Sequence, residues 1–321
     1  MKEKKITGTA EEKNRLITKI CQMYYIDDMN QQEISERVNI SRSQISKLIK
    51  QGKEKGIVSI SINSRYSEEN QYSNELIQKY RLRDAVVVDT TGMNLPDAFS
   101  RISLSFNSLF DRLLKDDDIV GVMAGQSVNR LASSISVSNR NNLTVYPLVG
   151  GFGPKGEDWQ ANSNARTFAD KLKGTCYQFN CPAYVGDENL RDALMAQKDI
   201  QYLYELGQRT NIAIVSVGQM GSKSTLLNAG ILDNDALIDL TGKKVVSSVC
   251  ASFLDENGDE VDCIAANRMV GCSIRDLKKM KNVIAVAYGN SKVEAITAAL
   301  KGNWFDILVT DLNTAKQICN K

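Results

Sequence analysis

From Glu11 to Tyr25 the apolar residues Leu16, Ile17, Ile20, Met23 and Tyr24 recur at spacings of three, four and seven, which predicts an amphipathic helix. Asp27, Asp28 and Asn30 break it. Gln31 to Val38 predicts a short second helix with Ile34 and Val38 on one face, and Asn39-Ile40 a tight turn. Ser41 stands as an N-cap whose hydroxyl takes a free backbone N–H. The third helix then runs to about Lys53 and buries Ile45, Leu48 and Ile49. After Gly56, the run Ile57-Val58-Ser59-Ile60-Ser61-Ile62 alternates as a strand. Two short helices across a tight turn, followed by a strand, form a winged helix-turn-helix.

Residues 66–83 predict a polar linker helix. Beyond them apolar runs alternate with helical stretches. Strands are expected at Asp84–Asp89, Asp118–Ala124, Leu143–Val149, Thr175–Phe179, Ile212–Val217, Val261–Ala266, Val283–Tyr288 and Ile307–Thr310. Helices are expected at Asp97–Leu114, Asn162–Lys173, Asn189–Arg209 and Ser291–Lys301. Such alternation implies βαβ units in a doubly wound, mostly parallel α/β sheet. The domains expected are residues 1–63, a winged helix-turn-helix; 64–83, a linker helix; and 84–321, a larger α/β effector and oligomerisation domain.

Charge divides the chain in the same place. Residues 1–65 hold 13 Lys and Arg against 8 Asp and Glu, while the remainder holds 27 against 30. A basic head on a slightly acidic body points to a polyanion partner for the head. On the third helix, Arg42, Ser43, Gln44, Ser46, Lys47 and Lys50 face outward. Arg, Gln and Ser suit base edges in the major groove, and Lys50, Lys53 and Lys55 suit phosphates. With Gln32 and Ser41 these outward residues make up the expected contact set for double-stranded operator DNA.

Composition narrows the chemistry. The 321 residues contain no His, which removes Ser-His-Asp and Cys-His nucleophile systems and HExxH zinc sites. The seven cysteines form no CxxC pair, so neither a disulfide framework nor a metal site is expected. The polar start and the lack of a long apolar run predict a cytoplasmic protein without signal peptide or membrane span. Glycines follow four strands, at Gly125-Gln126-Ser127, Gly150-Gly151-Phe152-Gly153, Gly218-Gln219-Met220-Gly221-Ser222 and Gly289-Asn290-Ser291-Lys292. Backbone N–H groups at such loops approach an anion closely, and a helix start adds a favourable dipole. None fits a P-loop or a GxGxxG fingerprint, so a small anion such as a sugar phosphate is expected rather than a nucleotide, with no cofactor.

These motifs carry a resemblance over residues 12–320. The head MNQQEISERVNISRSQISKLIKQGKEKGIVSISI, then IVGVMAGQS, YPLVGGFG, QANSNARTFADKLKG with CPAYV, VSVGQMG, SFLDENGDEV and VIAVAYGNSKVEAITAALKGNWFDILVTDLNTA, resemble in order the SorC family of bacterial sugar-responsive transcriptional regulators. The resemblance implies a body like the sugar-phosphate isomerases that senses a phosphorylated sugar or polyol and alters operator binding at a carbohydrate-utilisation operon. It also implies self-association to a dimer or tetramer. It places the phosphate at Gly125, Gln126, Ser127 and Lys292, and the sugar near Gln160 and Asn162. Gly150, Gly151, Gly218, Gln219 and Asp255 complete the expected effector set. The chain departs from the family at Ser247-Ser248, where Gly-Asp is common, at Val149, where a basic residue occurs, and at Gly218-Gln219-Met220-Gly221. The alternative is an isomerase-like enzyme carrying a DNA-binding head, with Lys292 and Asp311 as its acid-base candidates.

Overall fold

The computed structural model describes residues 10–60, 66–153, 156–221 and 224–321. The chain divides into two compact units, 1–65 and 66–321.

In the smaller unit, α1 (Ala10–Tyr25), α2 (Gln31–Val38) and α3 (Arg42–Glu54) enclose a core of Ile17, Ile20, Cys21, Met23, Ile34, Ile45, Leu48 and Ile49. Asn30 does more than break α1. Its Oδ1 accepts from the N–H groups of Gln32 and Glu33 at 2.9 and 3.0 Å, and the Glu33 carboxylate accepts from Asn30 N–H at 2.8 Å. This capping box satisfies donors that a helix start otherwise leaves open. Ser41 occupies the N-cap of α3 with extended backbone, yet its hydroxyl lies 3.2 Å from Ser43 Oγ and caps no backbone N–H. The expected hydroxyl cap is therefore not formed. Gly52 sits where α3 crosses α1, and a Cβ there would run into Cys21 Sγ. The expected wing is corrected in its described part. Residues 57–60 form no strand; Ile57 and Val58 instead fold back, half-buried, on the helical core. Ser61 and Ile62 lie outside the described residues.

The larger unit begins with α4 (Ser67–Tyr80). The expected linker helix is packed into this unit, with Leu76 and Tyr80 buried in its core. There follow β1 (Asp84–Val88), α5 (Leu95–Leu113), β2 (Ile119–Val122), α6 (Gln126–Ser134), β3 (Thr144–Pro147), α7 (Ala161–Leu172) and β4 (Thr175–Cys176). Next come α8 (Glu188–Met195), α9 (Lys198–Gln208), β5 (Ile212–Val215), β6 (Gly218–Gln219), α10 (Thr225–Asn228), α11 (Asn234–Gly242), β7 (Ser247–Val249) and β8 (Ser252–Leu254). The chain ends with α12 (Ile264–Asn267), α13 (Ile274–Leu277), β9 (Val283–Val286), α14 (Val293–Lys301), β10 (Ile307–Asp311) and α15 (Leu312–Cys319).

Seven strands form one parallel sheet in the order β1-β10-β9-β5-β2-β3-β4. Strand residues alternate between two cores, as a sheet with period-two side chains requires. Ile212 and Ile214 join α5, α6 and α7 on one face, while Ala213 and Val215 join α4, α9, α14 and α15 on the other. Several expectations need correction. The stretch Val261–Ala266 is no strand: its alternating burial at Cys263 and Ala265 imitates one, but Cys263 caps α12. The helix expected over Asn189–Arg209 is two, separated at Ala196-Gln197. The strand expected over Thr175–Phe179 stops at Cys176. A small antiparallel sheet, β6-β7-β8, was not anticipated; its strands of two or three residues carry Ser247, Ser248 and Gln219, which show little hydrophobic pattern.

Candidate functional site

The chain leaves β2 toward β3 on one side and reaches β5 on the other, so the sheet order reverses between these neighbours. Open α/β sheets bind ligands at such a point, beyond the carboxyl ends of the strands. A cavity of about 230 Å³ lies there. Its walls come from the ends of β2, β5 and β9, from α6, and from the small sheet: Gly125, Gln126, Ser127, Gly218, Gln219 and Lys292 all line it.

Gly125 has φ +132°, and a Cβ there would lie 2.7 Å from Ser216 Oγ, so this turn into α6 requires glycine. Gly125 places no side chain over the start of α6, whose N–H groups at Gln126, Ser127 and Val128 precede the first helical bond, from Asn129 to Gly125 O. Gly125's own N–H is not available to a ligand, because it donates to Trp159 O at 2.7 Å. Lys292 ends a single 3-10 turn, Asn290–Lys292, that precedes α14. Its ammonium is half-buried, makes no ion pair among the described residues, and has its pKa lowered by burial. Asp311, floated above as a catalytic partner, accepts from Gly289 N–H at 3.0 Å and from Thr314 N–H at 2.9 Å. It caps α15 and anchors the Lys292 loop.

The remaining expected residues serve the walls from behind. Gln160 grips the backbone of Phe152, accepting from its N–H and donating to its carbonyl, both at 3.2 Å. Asn162 grips Phe179 in the same way at 2.9 and 3.1 Å. Gly150 and Gly151 lie against the backbone of residues 181–183, where a Cβ on Gly150 would come within 2.6 Å of Cys181 O. Val149 is fully buried, bridged to Gly271. Asp255 accepts from Asn257 and Asp259 N–H groups in a turn. None of these six residues lines the cavity. Ser222 lies outside the described residues.

Several lining residues were missed: Arg130, Tyr288, Met123, Phe152, Trp159, Ser216, Thr225, Ser248 and Cys250 among them. A signal existed for two of them. Arg130 stands three residues after Ser127 on the same helix, and Tyr288 immediately precedes the Gly289 loop. Phe152 and Trp159 lie with ring centroids 5.8 Å apart beside the Gln160 clamp on Phe152. Ser248 sits where the family often has Asp, and the described lining contains two cationic side chains and no carboxylate.

In the head, Ser41, Arg42, Ser43, Ser46, Lys47 and Lys50 are exposed, and Gln44 is half-buried. Gln32 is exposed on α2 and donates to Glu36 at 2.8 Å. Lys50 pairs loosely with Glu54 at 3.8 Å, an exposed contact worth little.

Comparison with known proteins places both units. The family model described as "Putative sugar-binding domain" matches residues 64–320, and that of sigma-70 region 4 matches residues 18–55. The sorbitol operon regulator of Klebsiella pneumoniae is 29% identical over 304 residues, covering 94% of this chain and 96% of that protein. The deoxyribonucleoside regulator of Bacillus subtilis is 26% identical, covering 96% of this chain and 98% of its own. The crystal structure of full-length SorC from Klebsiella pneumoniae matches with a TM-score of 0.75, covering 95% of this chain and 98% of that one. A reversed sheet order with a cation-lined cavity, a helix-turn-helix head and full-length similarity to regulators agree: the chain belongs to the SorC family with its sugar-binding domain, and is a DNA-binding, sugar-responsive transcriptional regulator rather than an enzyme.

Proposed function

We propose that the cavity binds a phosphorylated sugar or polyol and that its occupancy modulates the hold of the helix-turn-helix on the operator of a carbohydrate-utilisation operon. The observation that carries this reading is Lys292. An ammonium half-withdrawn from water costs free energy unless an anion compensates it, and here no carboxylate does so among the described residues. The open N–H groups of α6 line the same cavity, so dipole and ammonium act on one phosphate. Gln219, Thr225 and Ser248 supply neutral groups for sugar hydroxyls, and Gln160 holds the Phe152 wall against them.

On the DNA side, Arg42, Ser43, Gln44, Ser46 and Lys47 occupy the groove-facing side of α3, with Gln32, Ser41 and Lys50 beside phosphates. Two-fold operators call for at least a dimer, which sedimentation at micromolar concentration measures.

The direct test is a thermal-shift screen against sugar and polyol phosphates, since a ligand of the native state raises its stability. Lys292→Ala removes a charge-assisted contact of about 1.5–3 kcal/mol, so affinity for the best compound drops at least about tenfold. Operator binding without that compound stays at the wild-type level. Unchanged affinity in Lys292→Ala would remove the phosphate from this cavity.

A further inference from the structure

The second cation of the cavity has no counterpart in the expected effector set. Arg130 lies in the second turn of α6, three residues after Ser127 and four after Gln126. Side chains of a helix lean toward its N-terminus, so a long residue here reaches back over the open first turn. Its guanidinium carbon stands 3.9 Å from the centroid of the Phe99 ring. Phe99 in turn meets Tyr288 edge-on, with centroids 5.2 Å apart. Burial raises the Tyr288 pKa, and its neighbours Ser127 and Arg130 oppose the rise. Arg130 makes no ion pair with a carboxylate among the described residues. A guanidinium stacked on one ring that a second ring meets edge-on, beside a cavity whose described lining holds no carboxylate, is held in place while its charge stays uncompensated.

We infer that Arg130 is a specificity residue that makes the anion site select a dianion, a phosphate monoester, over singly charged groups of the same shape, and that Tyr288 and Phe99 position it. This inference rests on the proposed phosphate site and deepens it. Lys292 and the α6 dipole suffice to attract any anion. A second fixed cation lining the same cavity adds attraction in proportion to ligand charge, so a dianion gains about twice what a monoanion gains. The planar fork of Arg also matches two phosphate oxygens at once, which an ammonium cannot do. A sulfate ester, a carboxylate or a phosphodiester then binds poorly even where its carbon skeleton fits.

Methyl phosphate and methyl sulfate test the inference, being nearly isosteric. At pH 8 the first is a dianion, since phosphate monoesters lose their second proton near pH 6, and the second a monoanion. Titrated calorimetrically into the full-length protein, methyl phosphate is expected to bind at least tenfold tighter. Arg130→Gln lowers methyl phosphate affinity at least tenfold and methyl sulfate affinity only two- to threefold, closing most of the gap. Arg130→Lys does not restore the preference, and Tyr288→Ala, which removes the ring that meets Phe99, loses part of it. Melting temperatures within a few degrees of wild type establish that the variants are folded; Arg130 is exposed, so its replacement disturbs no core. If Arg130→Gln keeps the wild-type preference while Lys292→Met abolishes binding of both compounds, the specificity role is overturned and the phosphate site stands. If neither substitution changes either affinity, the site itself is misplaced.

Discussion

At the scale of single residues, the site is built from groups that are costly to the unliganded fold. Burial lowers the pKa of Lys292 below the ordinary lysine value, so the unfolded chain binds more protons than the folded one between the two values. Stability therefore rises with pH through that alkaline window, and at neutral pH the buried charge is a standing penalty. Lys292→Met removes the penalty. In differential scanning calorimetry without ligand its melting temperature should exceed wild type by a few degrees, while its response to sugar phosphates disappears. A lower melting temperature would show that the ammonium stabilises the empty fold. Gly125 is restrictive in the other direction. Gly125→Ala combines a φ that L-residues rarely adopt with a contact to Ser216 Oγ at 2.7 Å, and should cost about 1–3 kcal/mol by denaturant titration, with ligand binding lost.

At the scale of elements, the proposed DNA contacts divide α3 into two jobs along its length. Its first turns expose Arg42 and Ser43 with Gln44 beside them, whereas Lys50 lies farther on near Glu54. Arg42→Ala or Gln44→Ala should each cost about 1–3 kcal/mol on the cognate operator and little on random DNA. Lys50→Ala should weaken both equally and reduce the salt dependence by about one ion. Fluorescence anisotropy on operator and scrambled duplexes at several salt concentrations distinguishes them; equal losses on both duplexes for Arg42→Ala would remove base readout from α3. The helix is held for this task by its close crossing with α1 at Gly52, next to Cys21.

At the scale of the whole molecule, the division of the chain falls before α4 and not after it. Leu76 and Tyr80 are 0% and 9% exposed and lie in the core of the larger unit. A chain beginning at Tyr66 should fold and melt cooperatively. One beginning at Asp84 loses two large buried side chains at about 1.5–3 kcal/mol each, on the order of 3–6 kcal/mol in all. Its melting temperature should fall by roughly 6 °C or more. Equal stability of the two truncated chains would make α4 a mere tether.

What was legible in the sequence follows from the range of the interactions involved. Helices α1 to α3 and the main strands could be read from hydrophobic period, because each buries one face and repeats it over several turns or residues. The loops of Gly125 and of Gly289, which leads to Lys292, could be read because their positive φ after a strand favours glycine, while Gly218 is kept small by Ser248 across the small sheet. The small sheet could not, because its pairing of Gly218 with Ser248 is between residues thirty apart with no pattern of their own. The strand expected at Val261–Ala266 was misread, and residues 57–60 of the expected wing form none, since alternation over a few residues fits a strand, a capped short helix and a segment packed on a helical core alike. Gln160 and Asn162 were located near the site by motif, but only tertiary contacts turned them from ligand readers into clamps on Phe152 and Phe179. Sequence by itself thus determined the helical head, the main parallel sheet and the glycine loops at the strand ends that line the cavity, which are local properties of backbone and side-chain period. Tertiary structure alone decided which polar groups remain free to meet a ligand, because a side chain's hydrogen bonds are allotted by neighbours far away along the chain.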